Sequence, residues 1–236
     1  MFSPFASCQA HWIPAETALA GTLVRLVPLT ENHFEPLAEL GRDERIWASF
    51  PVSRADVGRH LRHLAETFSE MQRGLAHAFA IETAEGLAGL TRLFHLNPAS
   101  RQCEIGSWLA PAFWGRGVNV EAKFLLLQFC FEAMDMVRVQ FRTDANNRRS
   151  RLALEKMGAQ LEGIFRNERI REDGSTRDAA FYSIIDREWA AVRERLLEKM
   201  ARQKSADVPG ASLQSDIAPA EQSAVGETAQ PTVLPG

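Results

Sequence analysis

The sequence predicts an α+β fold in which mainly antiparallel strands pack with separate helices. Two observations carry this. Runs that read as strands are joined by short turns, Ala84-Glu85-Gly86, Asn97-Pro98-Ala99-Ser100 and Glu172-Asp173-Gly174-Ser175. Such turns are too short for a parallel crossover. The helical runs are segregated from these strand groups, so the chain lacks the strict strand–helix alternation of a doubly wound sheet.

In order, residues 1 to about 20 show little periodicity and read as a loose lead-in, with Trp12 and Ile13 as the candidates to pack on the domain. Thr22 to Pro28 alternates as a strand. Thr30 can cap a helix from Glu31 to Leu40, with Phe34, Leu37 and Leu40 on one face. Ile46, Trp47 and Phe50 form a short turn or helix ending at Pro51. Ser53 is the expected cap of a helix running to about Gln72. Strands follow at about His77 to Glu82, Leu87 to His95 and Gln102 to Ala110. The stretch Val118 to Met134 is a helix apolar around most of its circumference, with Glu121, Gln128, Glu132 and Asp135 as a narrow polar stripe. Val137 to Thr143 is a strand, and Asn147 caps a helix from Arg148 to Met157 that Gly158 ends. Gln160 to Ile170 and Arg177 to Ile185 are strands, and Asp186 to about Lys204 is a last helix. From Ser205 to Gly236 aromatics and periodicity vanish, which predicts a disordered tail. The expected division is a lead-in over 1–20, one domain over 21–204 and a tail over 205–236.

The chain has 236 residues, 45% hydrophobic and 24% charged, enough for a sizeable core. A net charge of -3 offers no general basic field for nucleic acid. The three cysteines, Cys8, Cys103 and Cys130, form no C-x-x-C pair, and no histidine cluster has metal spacing, so no metal is implied. The longest apolar run, Phe124 to Met136, is too short and too polar to span a bilayer, and no leader is visible. A cytoplasmic setting is the expectation.

The segment Pro111 to Lys123 says most about function. A strand-like run leads into Trp114-Gly115-Arg116-Gly117-Val118-Asn119, which opens the apolar helix. Glycines let the backbone approach an anion closely. The first amides of a helix lack internal partners and carry partial positive charge. A plain tight turn is the competing reading of two glycines alone. A Walker A loop is excluded because no Gly-Lys-Ser/Thr follows, and a Rossmann fingerprint fails without a third glycine.

The order of elements, with this turn after the fourth strand, resembles the GNAT superfamily of N-acetyltransferases, closest in its RimJ/RimL-like branch. Four pieces carry the resemblance: Val24-Arg25-Leu26-Val27-Pro28-Leu29 with His33; Ile105-Gly106-Ser107-Trp108-Leu109 running into Trp114 to Ala122; Asn147-Arg148-Arg149-Ser150 with Leu154 to Ala159 and Glu162-Gly163; and Arg177-Asp178, Tyr182-Ser183-Ile184 and Glu188-Trp189. The resemblance implies a mixed, mainly antiparallel twisted sheet flanked by helices. It implies acetyl-CoA as the acetyl donor and direct transfer to an amine acceptor, either a protein N-terminus or a small molecule. A noncatalytic acyl-CoA sensor is the alternative from another class. Neither a membrane nor nucleic acid is an expected partner, and monomer and homodimer both stay open.

The resemblance further implies that the amides of Gly115, Arg116, Gly117, Val118 and Asn119 hold the pyrophosphate. Asn119 departs from the Gly or Ala of the wider family. Backbone groups of Trp108, Leu109 and Ala110 would pair with the pantetheine arm. Asn147 would bond that arm, and the Ser150 hydroxyl would meet the departing sulfur; the plain reading makes Asn147 a helix cap and Ser150 a first-turn residue. For the base, Glu104 is the first candidate, against an edge-strand charge facing solvent, and Glu168 is the second. Trp47 and Tyr182 are candidates to line the acceptor pocket. Lys123 is either a phosphate contact or a side chain reaching along the surface to solvent.

Overall fold

The structure is a computed structural model that describes residues 12–206. Its elements are β1 (Leu19–Ala20), β2 (Arg25–Pro28), α1 (Phe34–Leu40), α2 (Glu44–Trp47), α3 (Val57–Gln72), β3 (Ala76–Thr83), β4 (Gly86–Asn97), β5 (Gln102–Leu109), α4 (Val118–Gln128), β6 (Arg138–Asp144), α5 (Arg148–Met157), β7 (Gln160–Ile170), β8 (Thr176–Ile185) and α6 (Asp186–Ala206). The strands form one sheet in the order β1-β2-β3-β4-β5-β6-β8-β7. Every pairing is antiparallel except β5 with β6. This is the predicted α+β architecture.

Strand alternation sorts the core onto two faces. Ala78, Leu90 and Trp108 point to one face and bury Leu29, Leu37, Trp47 and Leu64 of the α1–α3 layer. Phe79, Ile81, Leu93 and Ile105 point to the other and pack against α4 and α6 through Leu126, Leu127, Val192 and Leu196. With both faces covered, β3 is buried at six successive positions, Ala76 to Ile81, and shows no polar alternation.

The parallel pair is short. β5 and β6 meet only over Gln102–Glu104 and Arg138–Gln140. Beyond that, β5 continues along β4 to Leu109 while β6 continues along β8 to Asp144. The two central strands therefore part, and each presents an unpaired edge to the gap between them.

Several expectations need correction. Asp56, rather than Ser53, caps α3: its Oδ1 accepts the Arg59 N–H at 2.7 Å. The helix from Glu31 begins as a 3-10 turn, and His33 Nδ1 accepts the Thr30 N–H at 3.0 Å, a structural role. The run Val118 to Met134 is α4 followed by a π-helical turn, Phe129–Ala133. The lead-in is not loose over its described part: Ile13 is buried and Leu19–Ala20 pairs with β2. Residues 1–11 and the greater part of the expected tail, 207–236, lie outside the described residues.

Glu121 is the largest departure. Expected on the polar stripe, it is only 3% exposed. Its Oε1 accepts the Thr22 N–H (2.9 Å) and hydroxyl (2.6 Å), and its Oε2 accepts the N–H groups of Leu23 (2.6 Å) and Val24 (2.9 Å). This carboxylate fastens the β1–β2 turn to the first turn of α4, where the helix dipole favours a negative charge. Gly21 is required there, because a Cβ would lie 2.6 Å from the carboxyl carbon.

Candidate functional site

A cleft of about 640 Å³ runs through the gap between β5 and β6. At one end stands the glycine turn; at the other stand the α2–α3 segment and Glu104. Gly115 (φ +77°) and Gly117 (φ +84°) both adopt the left-handed conformation that glycine permits. The N–H groups of Gly115, Gly117, Val118 and Asn119 meet no acceptor among the described residues. Free amides at a helix N-terminus are an arrangement that can receive an anion. Gly117 and Asn119 line the cleft, whereas Val118 is buried in the core. The Arg116 side chain turns away to Glu85 and the Phe113 ring, so it is only through the backbone that this residue belongs to the turn. The last helix reaches the same place: a Cβ on Gly117 would lie 3.1 Å from Gln203 Oε1 and 3.2 Å from Leu23 Cδ1, and Lys199 lines the cleft.

The expected backbone partners on β5 are out of phase. The Ala110 N–H donates to Ala88 at 2.9 Å, and the Trp108 carbonyl faces β4, 2.2 Å from where a Gly89 Cβ would stand. In an antiparallel ladder the groups of alternate residues point the same way. Trp108 and Ala110 are therefore spent on β4, while Ser107 and Leu109 face the gap. Of the three expected residues only Leu109 presents its backbone there, and its carbonyl accepts the Trp114 Nε1–H at 2.8 Å. Ser107 is the residue that the sequence reading missed; strict alternation along the strand was the available signal.

Lys123 does not reach along the surface to solvent. It lines the cleft from α4, donates to Ser107 Oγ at 2.9 Å and lies 5.5 Å from the Phe141 ring centroid. Burial without a carboxylate partner lowers its pKa from 10.5 to about 8. On α5, Asn147 is the cap, with Oδ1 accepting the Ser150 N–H at 3.0 Å, and both residues line the cleft. The two readings of Asn147 thus coexist, since its amide nitrogen is not used by the cap. Arg149 stacks 3.9 Å from the Trp114 ring centroid beside them.

Glu104 is no solvent-facing edge charge. It lines the cleft and its side chain is 4% exposed. Oε2 meets His95 Nδ1 (3.1 Å) and accepts the Gln140 amide (3.0 Å), while Oε1 pairs with Arg142 Nε (3.2 Å). The same guanidinium bonds Glu168, which also receives Arg169 and leaves its Oε2 buried without a partner. Arg142 thus bridges the two candidate bases. Glu104 is the one on the cleft wall, and Glu168 is absent from that wall.

Trp47 lines the cleft. It is buried, anchored by Nε1–H to the Gly41 carbonyl at 2.7 Å, and packed on Trp108 at 5.4 Å between ring centroids. Tyr182 does not line it. It is fully buried on the α4 face, its hydroxyl donating to Glu155 (2.7 Å) and accepting from Arg151 (3.0 Å). Its position on β8 pairs with Phe141, whose side of the sheet is core, so it fixes α5 rather than lining the acceptor pocket. Among the described residues no group of histidine, cysteine or carboxylate side chains could hold a metal, and no helix is long and apolar enough to cross a membrane.

Comparison with known proteins agrees with this geometry. The acetyltransferase (GNAT) domain model matches residues 24–160. YdaF of Bacillus subtilis (strain 168), described provisionally as a ribosomal N-acetyltransferase, is 33% identical over 103 residues, which cover 44% of this chain and 56% of YdaF. The match thus spans little more than half of that relative. The ribosomal-protein-serine acetyltransferase of Escherichia coli (strain K12) is 24% identical over 178 residues, covering 72% of this chain and 98% of the relative. A crystal structure from T. thermophilus, described provisionally as an acetyltransferase, is 34% identical with a TM-score of 0.70, over 77% of this chain and 96% of that one. A family match over more than half of the chain, falling on this fold and this parted pair of strands, means that the protein belongs to the GNAT acetyltransferase family.

Proposed function

We propose that the protein transfers the acetyl group of acetyl-CoA directly to a primary amine, and that the acceptor is a protein N-terminus. The observation that carries the donor is the gap between β5 and β6 closing on free amides at a helix N-terminus. The pyrophosphate fits the amides of Gly115 to Asn119. The backbone groups of Ser107 and Leu109 can pair with the amide-bearing pantetheine arm like an added strand, and the Asn147 amide reaches it from α5. The acceptor assignment draws on the names of two curated relatives, one a ribosomal-protein-serine acetyltransferase and the other described provisionally as a ribosomal N-acetyltransferase.

In this reading Glu104, held by Arg142, His95 and Gln140, takes one proton from the incoming ammonium through a cleft water. The free amine attacks the thioester carbonyl. As the C–S bond breaks, the second amine proton goes to sulfur, and the Ser150 hydroxyl donates a hydrogen bond to the developing thiolate. The products are the N-acetyl amine, CoA thiol and one proton released to solvent.

Thiol release from acetyl-CoA, measured over N-terminal peptides and small amines, tests the reading. Peptides should turn over fastest, and Glu104→Gln should lower kcat by about 10²–10⁴ with the KM for acetyl-CoA unchanged. Tight CoA binding with no turnover of any acceptor would identify a noncatalytic sensor. Faster turnover of small amines would identify a small-molecule acetyltransferase.

A further inference from the structure

The acceptor half of the cleft contains a guanidinium that makes no ion pair among the described residues. On that side Arg45, Arg92, Arg142 and Arg177 line the cleft, each within 4.0 Å of a carboxylate: Asp43, Glu70, Glu104 with Glu168, and Asp144. Arg54 lines the same wall and has no carboxylate within 4.0 Å and no hydrogen bond among the described residues; its guanidinium lies 5.6 Å from the Trp47 ring centroid. Burial, then the neighbouring Arg92, lowers its pKa to about 10, against the weaker opposing pull of Glu66 and Glu172, neither of which touches it. The same wall carries an orphaned donor: Trp108 is 8% exposed and its Nε1–H has no acceptor among the described residues.

A half-buried guanidinium without an anion is unfavourable, and a guanidinium suits bidentate binding of carboxylate or phosphate oxygens. Register places this charge close to the chemistry. Arg92 is opposite Gly106 on β5, two residues from Glu104, and Trp47 joins Arg54 to Trp108. We infer that the amine acceptor carries an anionic oxygen group, which docks on Arg54 beside Arg92 while the amine lies near Glu104. The inference rests on the transfer reading above and narrows it. On a protein N-terminus the group is an acidic side chain next to the terminal residue; on a free amino acid it is the α-carboxylate.

Matched acceptors test it: Ser-Asp- against Ser-Asn-initiated peptides, and an amino acid against its amide, with thiol release as the readout. The wild type should favour the anionic member of at least one pair by about tenfold or more in kcat/KM, the size of a charge-assisted hydrogen bond. Which pair shows it separates the two sources. Arg54→Gln should bring that ratio close to one with the KM for acetyl-CoA unchanged, which also shows that the variant folds, and Arg54→Lys should restore part of it. Ratios near one in the wild type, or a ratio that survives Arg54→Gln, overturn the inference alone. CoA binding without turnover of any acceptor overturns the transfer reading and this inference with it.

Discussion

Glu121→Gln tests how the phosphate turn is held in place. The substitution keeps the size and removes one acceptor oxygen. The least damaging orientation points the amide oxygen at the Leu23 and Val24 N–H groups and the amide nitrogen at Thr22, whose hydroxyl can turn to accept. The Thr22 N–H, 2.9 Å away, then faces another donor. Leaving that amide unpaired costs about 1–3 kcal/mol, and the remaining bonds lose the roughly twofold strength that a charged acceptor gives them. Loss of the carboxylate from the first turn of α4 removes a further few tenths of a kcal/mol or more. The sum is roughly 2–4 kcal/mol, which for a domain of this size lowers Tm by about 5–15 °C. Thermal unfolding followed by circular dichroism measures it. A fall in Tm below about 2 °C would refute the claim that this carboxylate anchors β1–β2 on α4. Because Leu23 packs beside Gly117, the variant should also bind CoA more weakly than wild type.

Two further substitutions probe the cleft. Lys123 binds its proton to about pH 10.5 when unfolded and releases it near pH 8 when folded, so between these values the folded state holds fewer protons and stability rises with pH. Lys123→Met should therefore be more stable than wild type at pH 7, by up to about 3 kcal/mol in urea unfolding, with the gap shrinking towards pH 10; a gap that does not change with pH would refute the burial argument. Lys199, which lines the cleft near Gly117 and whose pKa is lowered by burial and by Lys156, should be a phosphate contact. Lys199→Gln should raise the KM for acetyl-CoA about fivefold, the equivalent of roughly 1 kcal/mol, and flatten its salt dependence, whereas an unchanged KM would place the lysine outside the donor site.

The elements were legible because their signals are local. Short turns, the Asn147 cap and the Gly158 stop each depend on a few neighbouring residues. The glycine turn was legible for the same reason, since left-handed backbone and free helix amides arise within six residues. The errors share one cause: a side chain whose partner lies far along the chain. Glu121 looks solvated until Thr22 to Val24 fold against it. Tyr182 looks like a pocket wall until α5 brings Arg151 and Glu155 to its hydroxyl.

By itself, the sequence determined the α+β class, the strand–glycine turn–helix unit and the family that this unit resembles, because periodicity, turn chemistry and capping are properties of contiguous residues. Only the tertiary structure decided which β5 amides face the gap, that Arg142 joins Glu104 to Glu168, and that Arg54 makes no ion pair among the described residues where it lines the cleft. Those facts depend on the parting of β5 from β6 and on which side chains distant segments bring into the opening. Charge balance in a cleft is a sum over such segments, and no single stretch of sequence contains it.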